Sequence, residues 1–396
     1  MKYYRKPKFI IKKNMQKSQA TGVYFDSLLP RAILDDVCFQ ITKKKKYDVE
    51  FVDNDYTDEF LPRSYNKGRL GMLLYEDTAN FISFSDNTGA GRNSSIQSAT
   101  TAFNLFYSNS HNKKRLFFYF LPCSGQDSTA YHLFVYRLMK TAGFDFINTP
   151  SCGQRILPFS SIEDIILARR INAAANPGNN STFIVKENAH DYSIYGKTYG
   201  ANKYETSIIS YAISNILSTE DNVTLYEYNE RDLKELPRAS LDVLDAMGNI
   251  NVVNIDDELE KKELNENDSL RSPKFNARLL DRLGERHCVL CECGISEIIQ
   301  GAHLWPVSAI KKMTTLSDDE KLEYATDGEN GLWMCQNHHK LFDSHILLLS
   351  ESGDVSYKPT MDKEATDYMD SVTTVTKLDP LIITGKYKDY IRRRYA

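Results

Sequence analysis

The sequence predicts an α+β chain in two parts, a large mixed α/β region over residues 1–268 and a smaller module over residues 269–396. Three observations predict it. Strand-length apolar runs alternate with stretches of helical periodicity through the first two thirds of the chain, as where Arg115–Leu121 is followed by Tyr131–Lys140. A stretch of seven acids and two lysines, Asp256 to Asp268, interrupts the alternation and reads as a linker. Four of the seven cysteines, Cys288, Cys291, Cys293 and Cys335, gather beyond it, whereas Cys38, Cys123 and Cys152 are scattered. Clustering of that kind signals metal ligation rather than disulfides.

A chain of 396 residues exceeds what one core usually covers, so two or three domains are expected. A composition of 41% hydrophobic and 26% charged residues is that of a globular protein. No apolar run approaches the ~18 residues of a membrane span, and the basic opening Met1–Arg5 is not followed by the apolar stretch of a secretory signal. A cytoplasmic protein without a membrane partner is therefore expected. The net charge of −4 excludes a wholly basic nucleic-acid binder, but the charge is uneven: residues 1–46 carry +9 and the chain ends in Arg392-Arg393-Arg394. These basic segments either neutralise phosphates or form solvated surface.

Taken in order, Arg115–Leu121 is a strand and Tyr131–Lys140 a helix. The stretch from Glu205 to Leu217 aligns Ile208, Ile209, Ala212, Ile213 and Ile216 on one helical face, and Val223–Tyr228 is a further strand. Thr88–Arg92 is glycine-rich but lacks the lysine of a phosphate loop and reads as a surface turn. No G-x4-G-K-[ST] occurs, so no nucleotide cofactor is expected, and Asp232-Leu-Lys234 matches a short nuclease pattern only as chance triplets do. After the acidic stretch, Lys274–Leu283 predicts a helix closed by Gly284.

The chemistry follows that helix. Cys288 and Cys291 form a C-x2-C pair, and Cys335 and His338 a C-x2-H pair. Two such knuckles can converge on one tetrahedral Zn²⁺, and four protein ligands leave no position for water, so the ion is structural. Cys293 is a spare that could replace one of the four. Within this frame lie His303 in Ala302–Pro306, then Asn330-Gly331-Leu332, then His339 followed by Leu341-Phe342-Asp343.

Residues 270–360 resemble the HNH (ββα-metal) nucleases of bacterial restriction enzymes, with the C-x2-C, A-H-L-x-P, N-G-L and H-x2-F-D blocks in order. Tyr131–Gly143 and Tyr195–Lys203 are similar to the N-terminal parts of type II restriction endonucleases that carry this module. The resemblance implies a zinc-stabilised ββα-metal module after a DNA-recognition and dimerisation region. It implies roles too: His303 as the general base, Asn330 orienting its imidazole and bracing the loop, and His339 on a helix binding a catalytic Mg²⁺. Asp343, one turn after His339, either completes the cation site or caps locally. Many relatives place a metal ligand where this chain has Ala302, so the shell is completed by water, by substrate phosphate or by a neighbour such as Gln300.

The function so implied is site-specific cleavage of double-stranded DNA by a homodimer, a type II restriction endonuclease. Two other readings remain open: an antiphage or mobile-element nuclease whose N-terminal part senses a signal, and a catalytically inactive, zinc-stabilised DNA-binding protein.

Overall fold

A computed structural model describes residues 7–12, 31–52, 68–85, 92–109, 114–120, 130–148, 156–175, 182–196, 202–228, 236, 238–255, 257–266 and 272–396. Cys123, Cys152, the Thr88–Gly91 turn and Asp232–Lys234 lie outside the described residues. Helices and strands are mixed, as the α+β class requires. The chain divides into two compact units, one of residues 1–182, 196–225 and 230–252, the other of residues 183–195, 226–229 and 253–396. The boundary expected at 268/269 thus falls inside the second unit.

The first unit is built on a six-stranded sheet of β1 (Lys8–Lys12), β2 (Asp48–Val52), β3 (Gly68–Tyr75), β4 (Thr78–Ser85), β5 (Arg115–Phe120) and β6 (Phe144–Phe146), in the order β2-β1-β3-β4-β5-β6. β1 runs parallel to β2, and β5 parallel to both β4 and β6. Parallel neighbours cannot be joined by a tight turn. Each such pair is accordingly joined through a helix: α1 (Arg31–Thr42), α2 (Arg92–Asn109) and α3 (Ala130–Thr141) in turn. α1 packs Leu34, Val37 and Cys38 against Tyr47, Leu73 and Tyr119.

Two further helices, α4 (Ile162–Ala175) and α5 (Asn202–Ile216), complete the part of this unit that the site argument needs. The expected apolar face of α5 is buried at Ile208, Ile209, Ala212 and Ile213, but Thr206, Ser207 and Ser210 are equally buried. Small hydroxyls tolerate enclosure because they find acceptors locally. Ser210 donates to the Thr206 carbonyl at 2.8 Å, and Thr206 shares a 2.9 Å bond with Thr182. Glu205 lies buried against Arg169 of α4 at 2.8 Å and accepts from the Tyr131 hydroxyl.

β7 (Thr182–Lys186), β8 (Asp191–Gly196), β9 (Asn222–Tyr228) and β10 (Asn251–Ile255) form a four-stranded sheet in the order β10-β9-β8-β7. The acidic segment that follows, expected to be a linker, is instead mostly helix, α6 (Asp257–Glu266). Dense charge does not prevent a helix that has something to bury. Leu264 and Glu260 are both 2% exposed, Glu260 accepts from the Ser272 hydroxyl at 2.7 Å, and Lys261 reaches Asp319 at 2.7 Å.

α7 (Pro273–Leu283) forms where its caps dictate: the Ser272 hydroxyl accepts from the Phe275 N–H at 3.1 Å, proline occupies the first turn, and Gly284 leaves the helix at φ 77°. It packs on a hairpin of β11 (Ile299–His303) and β12 (Gly331–Cys335), in which His303 faces Gly331 and Ile299 faces Cys335. The approach is close enough to require glycine. A Cβ on Gly301 would stand 2.7 Å from Leu279 and 2.8 Å from Phe275, and one on Gly331 would collide with Phe275. α8 (Asp318–Thr326) lies between the two strands in sequence, and α9 (Gln336–Asp343) follows β12 directly, giving a ββα arrangement. Near the end of the chain α10 (Gly385–Tyr395) buries Tyr387, Tyr390, Ile391 and Arg394, the i, i+3, i+4, i+7 stripe of a helix that faces a core.

Candidate active site and metal centre

The turn after α7 and the junction of β12 with α9 bring four side chains together. One ligand atom each from Cys288, Cys291, Cys335 and His338 lies within 4.8 Å of the others. His338 Nδ1 is 3.2 Å from the Cys335 sulfur and 3.5 Å from that of Cys288, while Cys291 and Cys335 are 4.0 Å apart. Ligand separations of roughly 3.3–3.8 Å are those of a tetrahedron around zinc with bonds of about 2.0–2.3 Å, so the donor set and its spacing fit that ion. The far nitrogen of His338 bonds the Thr373 hydroxyl at 3.0 Å, which fixes the ring with Nδ1 toward the cysteines. Burial pushes the Cys288 thiol up against the opposing pull of backbone hydrogen bonds, and burial with the neighbouring Cys288 and Cys335 pushes the Cys291 thiol up to about 12. A cation among them reverses that preference, because a thiolate exchanges its proton for a metal bond. Cys293 is not among the four; its backbone carbonyl accepts from the Cys288 N–H at 2.9 Å and shapes the turn.

On the other side of the ββα unit is a cleft of about 740 Å³ lined by His303, His339, Asp343, Gln300 and Arg394 among others. His303 ends β11, where its imidazole stacks on Phe275 of α7 with centroids 4.0 Å apart. Its Nε2 is 2.9 Å from the Ala325 carbonyl at the end of α8. A carbonyl only accepts, so the proton resides on Nε2 and Nδ1 keeps its lone pair. Nδ1 has no hydrogen-bond partner among the described residues. Burial, then the nearby His339 and Arg394, push His303 down to about 4 against the contrary pull of Ala325 and Asp343.

His339 and Asp343 stand one turn apart on α9, with His339 Nε2 and the Asp343 carboxylate 3.2 Å apart. The other ring nitrogen of His339 is 3.2 Å from the Gln300 side-chain oxygen. Burial favours a protonated Asp343, but hydrogen bonds and charge from His339 and Arg394 outweigh it and hold the carboxyl below its usual range. His339 Nε2 and the Asp343 carboxylate form a nitrogen and oxygen pair suited to a hard divalent cation, while Gln300 holds the ring from its other nitrogen.

The model of a known family, HNH endonuclease, matches residues 288–350. Residues 288–350 form an HNH endonuclease domain. No curated protein matches the chain. An HNH endonuclease domain supports a DNA nuclease, and nucleases of this family depend on metal. Among the described residues no helix is long and apolar enough to cross a membrane.

Within the HNH domain, His303, His339 and Asp343 share the cleft, as the motif spacing implies. Asn330 does not. It is fully buried and makes no direct bond to the His303 ring. Its side chain accepts from the Trp305 N–H at 2.7 Å and donates to the carbonyls of Trp305 and Tyr324 at 3.1 and 3.0 Å. These bonds hold the turn after His303 and the carbonyl next to the one that His303 bonds, so Asn330 meets the ring only through its neighbours. Ala302 is also fully buried, whereas Gln300, two residues back on β11, reaches His339.

Of the terminal arginines, expected either to neutralise phosphates or to form solvated surface, Arg392 lies on the surface and Arg394 does not. Arg392 pairs with Glu351 at 3.0 Å, Arg393 pairs with Asp389 at 2.7 Å, and the side chain of Arg394 is 1% exposed. The sequence does carry the signal: Arg394 continues the Tyr387, Tyr390, Ile391 stripe. Phe275, which backs the His303 ring, has no signal beyond its place on the apolar face of α7.

Proposed function

We propose that this chain is a type II restriction endonuclease that hydrolyses phosphodiester bonds in double-stranded DNA at a specific sequence, with Mg²⁺ as the catalytic cation and Zn²⁺ as a structural one. The observation that carries the chemistry is the fixed tautomer of His303. With Nε2 committed to the Ala325 carbonyl, Nδ1 takes the proton of the attacking water as its oxygen forms the new bond to phosphorus. The bond from phosphorus to the 3′ oxygen then breaks, and the 3′ oxygen leaves with the electron pair and is protonated from solvent. His339 and Asp343, with Gln300 in support, would hold Mg²⁺, whose chemistry is to neutralise charge on the phosphate and on the departing oxygen. Cys288, Cys291, Cys335 and His338 would hold Zn²⁺ and tie the turn after α7 to the start of α9.

Sequence specificity is assigned to the region before the HNH domain, which is large enough to read base edges in a groove. Digestion of a fully sequenced plasmid in Mg²⁺, with mapping of the fragment ends, tests the reading. Ends at one recurring sequence are expected. Random nicking returns the chain to the wider class of HNH nucleases, and no cleavage in any divalent cation removes the enzymatic reading.

A further inference from the structure

Arg394 lies outside the segment that matches the HNH family model, yet it lines the cleft. One terminal nitrogen of its guanidinium donates to the carbonyls of His303 and Leu304 at 3.1 and 3.2 Å. The other donates to the Phe342 carbonyl at 2.7 Å and to the Asp343 carboxylate at 3.4 Å. The plane lies over the Phe342 ring, 3.7 Å from its centroid. A single side chain therefore bonds the end of the strand that carries His303 and the end of the helix that carries His339 and Asp343.

From this juxtaposition we infer that Arg394 is the positioning residue of the nuclease centre, a clamp that sets the distance between the residue taking the proton and the residues facing the phosphate. The inference rests on the roles proposed above for His303, His339 and Asp343. Only arginine can make it, because four acceptors on two elements require the fixed fork of a guanidinium rather than the single point charge of an ammonium. With its side chain 1% exposed and its terminal nitrogens on protein acceptors, Arg394 acts through the groups it holds, and its pairing with Asp343 leaves one carboxylate oxygen toward His339. The rest of α10 anchors the clamp at its far end: Thr384 donates to Glu329 at 2.7 Å, and both Lys386 and Tyr390 donate to Asp327 at 2.8 Å. The C-terminal helix is thus part of the catalytic unit, although the family motifs end before it.

The experiment is single-turnover cleavage of a plasmid in Mg²⁺ by the full chain and its variants, over a range of protein concentrations. Arg394→Met is expected to slow the cleavage step by about a hundredfold, the size of effect that a misplacement of about 1 Å produces, with the concentration for half-saturation of DNA unchanged. Arg394→Lys keeps the charge and the fold but not the fork, and is expected to remain at least about tenfold slow. Arg392→Gln, on the exposed side of the same helix, is expected to cleave as the unaltered chain does. Should Arg394→Met not fold, Arg394→Lys decides alone. A folded Arg394 variant cleaving at the unaltered rate, or one whose loss lies wholly in half-saturation, overturns the clamp. His303→Ala, measured alongside, separates the two levels: if it cleaves normally, the proposed base is wrong; if it is dead while both Arg394 variants are fast, only the clamp is.

Discussion

The His303 imidazole lies nearly flat on the Phe275 ring, 9° from parallel. That contact ties the candidate base to a helix outside the family motifs, and it explains why the base is neutral. An imidazole sandwiched against a phenyl ring and bonded only to a carbonyl loses much of the water that would stabilise its cation.

The pH dependence follows. With His303 down at about 4, the acid limb of the cleavage rate is expected well below 6.5. The sign for stability is fixed by the same shift. The folded state resists a proton that the unfolded chain accepts, so this group's contribution is complete above about 6.5 and is lost as pH falls toward 4. Rate against pH at saturating Mg²⁺ checks the first statement, and melting of the chain against His303→Gln checks the second. An acid limb centred at 6.5 would show that the burial does not act on the base.

The two metal sites are expected to fail differently. His303→Ala and His339→Ala should each reduce cleavage by ~10²–10⁴ while zinc content and melting are retained. Cys288→Ser or Cys335→Ser should release zinc and unfold the HNH domain. Metal analysis of the purified protein beside a melting curve distinguishes them, and a folded, active chain free of zinc would exclude the structural role.

Gly331→Ala places a methyl group against Phe275. A cost of about 1–3 kcal/mol is expected from overpacking. Because the displaced ring is the one behind His303, the cleavage rate should fall with it. Chemical denaturation and single-turnover cleavage measure the two effects. No change in either would mean that α7 shifts freely.

In the first unit, Glu205→Ala removes the carboxylate that stands 2.8 Å from the buried Arg169 guanidinium. Removing one member of a buried pair costs about 3–5 kcal/mol. Urea unfolding of the variant tests this, and a loss below 1 kcal/mol would mean that water reaches Arg169.

The proposed double-strand break requires two cutting centres, since one HNH centre engages one strand. A homodimer on a palindromic site is therefore expected, its symmetry matching that of the DNA. Sedimentation with and without a cognate duplex measures it. A strict monomer making concerted breaks would refute the dimer.

What the sequence determined by itself is the chemistry that depends on short range. The C-x2-C and C-x2-H pairs are knuckles whose four ligands meet in space. The i, i+4 spacing of His339 and Asp343 sets both on one face of α9, and α7, expected over Lys274–Leu283 and closed by Gly284, begins one residue earlier at Pro273. These relations are fixed by one turn of backbone and survive without knowledge of the rest of the chain. Only the tertiary structure decided the others. Asp257–Glu266 became a helix because Glu260 and Leu264 found burial against residues far enough along the chain that local charge density could not reveal them. The particular groups that Asn330 braces, Trp305 and the Tyr324 carbonyl, were set by packing. Arg394, 91 positions after His303, became the group that joins β11 to α9. Hydrogen bonds across such separations depend on where whole elements pack, and no local pattern specifies that.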